Sequence, residues 1–142
     1  MVIAARFRAL VASLWRPKPL GARGEALAAK YLKRQGYTIV SRGGRSPFGE
    51  LDIVAVDGRT VVFAEVKTRA SHEAGHPADA VGTEKQQRLT RLALSFLKRH
   101  DLLEYPARFD VIAVTWPHGS AKPSVEHFKN AFEATGRGQM FS

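Results

Sequence analysis

The chain has 142 residues, with 22 Lys and Arg against 13 Asp and Glu and a formal charge of +9. That length fits one domain with its own core, and 44% hydrophobic with 25% charged residues excludes wholesale disorder. With no Cys, disulfides, thiolate zinc centres and thiol catalysis are excluded, and the surplus of positive charge points to a polyanionic partner, nucleic acid before an anionic membrane surface.

The first 23 residues hold Arg6, Arg8, Arg16, Lys18 and Arg23 and no acid, so they carry +5 of the +9. Residues 1–20 read as a basic arm, first as a weakly held terminus and alternatively as a strip touching nucleic acid. Arg6 and Arg8 interrupt its apolar stretch and no cleavage pattern follows, which argues against a secretory signal. No apolar run approaches the ~20 residues of a membrane span; the expected location is the cytoplasm.

From Gly24 the pattern GEALAAKYLKRQ is helical and Gly36 stops it. YTIV reads as a short strand and SRGGRSPFG as a loop. ELDIVAV and TVVFAEVK are β-rich runs flanking Asp57-Gly58, a strong hairpin signal. Residues 68–82 are polar and broken by Gly75, Pro77 and Gly82. A second helix opens at Thr83, where Thr83 and Gln86 fit a capping box. Its apolar stripe is Leu89, Leu92, Ala93 and Phe96, with Arg88, Arg91, Lys98 and Arg99 mostly elsewhere on its surface. RFDVIAV is a further strand and VEHF a short one. Residues 21–130 form the domain, and 131–142 a tail with little pattern.

The hairpin can be read as geometry. With Asp57-Gly58 as a two-residue loop, Asp52 lies opposite Phe63 and Glu50 opposite Glu65. Residues two apart share a face, so Glu50, Asp52, Phe63, Glu65 and Lys67 project from one side. Asp52 and Glu65 are then diagonal neighbours, about 7–8 Å apart. Leu51, Ile53, Val62, Ala64 and Val66 form the opposite, core-facing side. A solvated face of ordinary ion pairs is the alternative, but Val54, Val56, Val61 and Phe63 share the acidic face and argue that it is covered. Carboxylates beside apolar cover repel unless a cation neutralises them. Magnesium or manganese does so through oxygen ligands while keeping sites for water and phosphate.

Gly49-Glu50-Leu51-Asp52, followed after the turn by Glu65-Val66-Lys67, resembles the PD-(D/E)xK nuclease signature. The order of GEALAAKYLKRQGYTIV, GELDIVAVDG, VVFAEVKTR, GHPADAV with Lys85, and RFDVIAV resembles the YraN-like bacterial family, itself similar to archaeal Holliday-junction resolvases. The resemblance covers most of residues 21–115. It departs from the family at SRGGRSPFGELD, where Gly-Gly stands in place of the usual Asn and another residue ahead of Arg45. The implied fold is α/β, a restriction-endonuclease-like core with a mixed central sheet flanked by helices, making 21–130 an endonuclease-like domain. The resemblance implies that Asp52 and Glu65 bind magnesium or manganese and that Lys67 assists the nucleophile.

Resolvase-like members also use an acid on the first helix, and Glu25 occupies that place as a further metal ligand. Its alternative role is a first-turn Glu complementing the helix dipole. Lys85, Arg69 and Arg45 are the candidate nucleic-acid contacts, with Lys85 alternatively a long side chain snorkelling at a helix start. Asp110 is expected to be an ion-pair partner, and Glu50 to support the pair without binding metal. The implied activity is metal-dependent hydrolysis of phosphodiester bonds in nucleic acid. DNA is the favoured substrate, branched forms are within scope, and the protein acts as a monomer or a homodimer. The rival reading keeps the fold but only binds nucleic acid. A third, a peripheral membrane protein, rests on the amphipathic arm alone.

His72-Glu73-Ala74-Gly75-His76 matches H-E-x-x-H literally. That zinc chemistry needs a helix to bring both imidazoles to one face, and Gly75 and Pro77 oppose one; the match is a coincidence. His118 and His127 have no partners at ligand spacing.

Overall fold

The computed structural model describes residues 22–46, 49–69, 81–116 and 122–135. The basic arm, the His72–His76 motif, His118, the end of the tail and the side chain of Arg45 lie outside the described residues. The elements are α1 (Ala22–Arg34), β1 (Thr38–Ser46), β2 (Gly49–Asp57), β3 (Thr60–Arg69), α2 (Thr83–Arg99), β4 (Ala107–Thr115) and β5 (Ser124–Phe132). They build one five-stranded sheet in the order β1-β2-β3-β4-β5. All neighbours are antiparallel except β3 and β4, which run parallel across the α2 connection. The expected α/β architecture, a mixed sheet flanked by helices, is the one observed.

Each helix covers one face because each has one apolar stripe. Ala28, Ala29 and Leu32 of α1 pack with Ile53, Ala55, Val62, Ala64, Ile112 and Val114. Leu89, Leu92, Ala93 and Phe96 of α2 pack with Val54, Val56, Val61, Phe63, Phe109 and Val111. The period-2 alternation of β2 and β3 is thus apolar on both sides, as a sheet buried between two helices requires. Leu51 departs from the expected split, since it packs with the α2-side cluster.

Four local expectations change. SRGGRS is strand, not loop: β1 continues to Ser46 and pairs with β2 down to Ser46 opposite Gly49. A register shift between Ile39 and Ser41 sets that pairing, and the glycines take part through backbone hydrogen bonds that need no side chain. The hairpin loop is Gly58-Arg59, with Asp57 paired to Thr60. Gly58 has φ +63 and Arg59 does not have positive φ, the sign pattern of a II′ turn, in which Gly takes the first loop position. The α2 N-cap is Gly82, with no side-chain cap bond; Gln86 instead donates through Nε2 to the Val81 carbonyl at 2.7 Å. Finally, β5 runs to Phe132, past the boundary drawn at 130, because Phe132 stacks on Phe109 with ring centroids 4.7 Å apart.

Candidate functional site

The shifted turn moves the carboxylates closer in register. The last β2–β3 pair is Ile53 with Ala64, and just beyond it Asp52 and Glu65 line one cavity and the Asp52 charge acts on Glu65. The loop still has an even number of residues, so both side chains keep the same face. The backbone ladder ends at that step. In its place, the Val66 N–H donates to Asp52 Oδ2 at 2.9 Å, which ties the Asp52 carboxylate to β3 one residue beyond Glu65.

Glu65 is 8% exposed. Beside it a cavity of about 10 Å³, room for roughly one water, is lined by Asp52, Glu65, Phe63, Leu89, Phe109 and Phe132 among others. Two lysines address the same Glu65 oxygen: Lys85 Nζ lies 2.5 Å from Oε1 and Lys67 Nζ 3.5 Å. Lys67 comes from β3 itself, and Lys85 from the first turn of α2 packed over that face.

These contacts pull the groups apart electrostatically. Burial, and next the negative charge of Asp52, hold the Glu65 carboxyl above the usual carboxylate range despite both lysines. Burial, and next the contact with Lys85, push the Lys67 amine below its ordinary value. Burial also acts against the Lys85 ammonium, but its bonds to Glu65 and Lys67 outweigh that and raise it.

Asp52, Glu65, Lys67 and Lys85 thus come together. Glu25 is placed by other contacts. It is buried in the first turn of α1, on the helix covering the Ile53 and Ala64 face, and its Oε1 lies 3.8 Å from Arg42 Nε. Among the described residues no group of three or more His, Asp or Glu side chains is placed to share a metal. The Arg69 Nε donates to Thr115 Oγ1 at 3.2 Å and its Nη2 lies 3.6 Å from Glu126 Oε1. In β1, Arg45 pairs through its backbone with Glu50.

The second polar centre was only half visible in the sequence. Asp110 is fully buried and is an ion-pair partner, as expected. Its other main partner is His127, whose Nε2 lies 2.7 Å from Oδ2. The β4–β5 register shifts between Phe109 and Val111, and Asn130, with φ +52, turns its N–H onto Asp110 Oδ1 at 2.9 Å. Nothing in the spacing of His127 announces this, because the contact depends on that irregular pairing.

A five-stranded mixed sheet between two helices, with an acidic pair and a lysine at one end of its hairpin, is compatible with a restriction-endonuclease-like core. Within that class, the chain belongs to the family described as "Uncharacterised protein family UPF0102", whose model matches residues 24–114. A UPF0102 protein of Geobacter sulfurreducens is 51% identical over 116 residues, covering 82% of this chain and 90% of its own length. One of Rhodopirellula baltica is 46% identical over 120 residues, covering 82% and 72%. One of an Arthrobacter species is 51% identical over 110 residues, covering 78% and 92%. No helix among the described residues is long and apolar enough to cross a membrane.

Proposed function

We propose that this protein is a metal-dependent nuclease acting on nucleic acid in the cytoplasm, with DNA as the favoured substrate. The observation that carries this reading is that Asp52 and Glu65 line one cavity at the end of the β2–β3 hairpin, with Lys67 Nζ 3.5 Å from the Glu65 carboxylate. The donor set fits a divalent ion. Two carboxylates approach from paired strands, one is held above its usual range by burial and by the charge of the other, and an ammonium already sits against it. Magnesium is commonly held by one or two protein carboxylates with substrate phosphate completing its shell, so Glu25 is not needed.

Asp52 and Glu65 would hold magnesium or manganese. Such an ion, when bound, neutralises charge on the phosphate and acidifies the attacking water. Lys67, with its Nζ 3.5 Å from Glu65 Oε1, would position that water. Substrate attraction comes from the +9 charge, with Arg88, Arg91, Lys98 and Arg99 exposed along α2.

The test is incubation with branched, single-stranded and duplex substrates in Mg²⁺ and Mn²⁺. Cleavage is expected from the wild type and is expected to vanish in Asp52→Asn and Glu65→Gln, while metal-free binding survives or improves. Lys67→Ala should lose turnover and still bind metal. A wild type that cuts no substrate, yet binds as well as these variants, would leave a non-catalytic nucleic-acid-binding protein as the better account.

A further inference from the structure

The acidic pair carries its own positive charge. Lys85 Nζ lies 2.5 Å from Glu65 Oε1, closer than Lys67 at 3.5 Å, and it arrives from a different element. Glu65 is nearly buried, whereas the Lys85 side chain is 31% exposed. One group is therefore anchored and the other stands at the rim on a flexible four-carbon stem. The contact is short enough that the ammonium occupies the space in front of Oε1. A divalent ion ligated by that oxygen would need the same space, at about 2.0–2.1 Å for magnesium, and would repel the ammonium beside it.

We infer that Lys85 is a resident counter-ion of the Asp52–Glu65 pair and that a divalent metal binds there only as Lys85 leaves. The inference rests on the metal-binding reading of the pair and adds a competition to it. Lys85 lowers apparent metal affinity by holding the carboxylate in a cation-satisfied state. Leaving Glu65 frees its ammonium at the rim, where a substrate phosphate is its natural partner. Phosphate that draws Lys85 away thus favours metal, and metal that expels Lys85 favours phosphate, a reciprocal coupling. Lys67 does not do this work: its nitrogen is farther from Oε1 and its backbone is fixed in β3 two residues away.

The experiment is Mn²⁺ binding to the full chain, followed calorimetrically without nucleic acid, for the wild type, Lys85→Met, Lys85→Arg and Glu65→Gln. Circular dichroism checks that each is folded, and Lys85→Gln replaces Lys85→Met should the latter not fold. Lys85→Met is expected to bind Mn²⁺ at least about tenfold tighter than the wild type, with Lys85→Arg close to wild type and Glu65→Gln without binding. Equal or weaker binding by folded Lys85→Met, with Glu65→Gln still abolishing it, would overturn the counter-ion role and leave the metal site standing. Absence of Mn²⁺ binding in every variant would overturn both.

Discussion

Glu65 on β3 and Asp110 on β4 are buried carboxylates on adjacent parallel strands, one register step apart, since Ala64 pairs with Asp110 and Glu65 with Val111. They face opposite helices. Around Asp110 every lone pair has a donor: Arg108 Nε at 3.0 Å and the Asn130 N–H at 2.9 Å on Oδ1, His127 at 2.7 Å and Arg108 Nη2 at 3.3 Å on Oδ2. Arg108 is itself satisfied, donating to Asp57 at 3.1 Å and to the Tyr37 hydroxyl at 2.6 Å. Burial alone would raise Asp110, but the bonds from His127, Arg108 and Asn130 outweigh it and hold it below the usual carboxylate range. Glu65 has the reverse balance, with burial and the charge of Asp52 prevailing over two lysines that share one of its oxygens. The same fold thus holds one carboxylate below its usual range by hydrogen bonds and its neighbour above it by burial and the charge of Asp52. The first arrangement ties β5 to the sheet through His127 and Asn130.

Removing charge should therefore have opposite consequences at the two positions. Asp110→Asn leaves the half-buried Arg108 with Asp57 as its remaining carboxylate and weakens the bonds from His127 and Asn130 to a side chain that is fully buried. Breaking a buried pair from one side costs about 3–5 kcal/mol, and urea unfolding should show a loss of that size. Glu65→Gln, unfolded in the same way without metal, should be neutral or gain up to about 1 kcal/mol, as substitutions at functionally strained sites do. Equal losses at both sites would remove the contrast and make Glu65 an ordinary structural ion pair.

The contrast also explains what could be read in advance. The face shared by Asp52 and Glu65 was legible because it depends only on the parity of the hairpin loop, and parity survives when the turn moves from Asp57-Gly58 to Gly58-Arg59. Their spacing was not, since it depends on which residue takes the positive φ. Lys85 was visible as one turn ahead of Leu89, but its seat on Glu65 depends on how α2 crosses β3. β1 was half hidden because its Gly-rich end pairs through backbone alone. His127 was invisible because β5 reaches Asp110 through an irregular register. Regular periodicity was readable; the bulges, turns and crossovers that place charges were not.

The pH dependence of stability sharpens the comparison at smaller magnitude. Asp110 is held low, so its contribution is present above its ordinary value of 3.8 and is lost as pH falls through its lower folded-state value. Glu65 is held high, so the unfolded chain ionises first, and stability falls as pH rises from its ordinary 4.5 through its higher folded-state value. Metal-free unfolding across this range should show both slopes in the wild type. Glu65→Gln should lose the decline on the alkaline side and keep the acid limb, and Asp110→Asn should do the opposite. A single profile common to both variants would show that the two carboxylates are not held in opposite senses.

The smallest effect isolates the coupling within the pair. Asp52 is the second influence raising Glu65, after burial, so Asp52→Asn should lower the Glu65 pKa without returning it to its ordinary value. Carbon-13 titration of the Glu65 carboxyl in metal-free protein measures this directly. The Val66 N–H that donates to Asp52 Oδ2 can still donate to the Asn carbonyl oxygen, so the β2–β3 end need not rearrange and the shift reports charge alone. A Glu65 titration unmoved by Asp52→Asn would mean that the two groups do not share a field. One cation would then have no electrostatic reason to bridge them, and the site would reduce to Glu65 with its lysines.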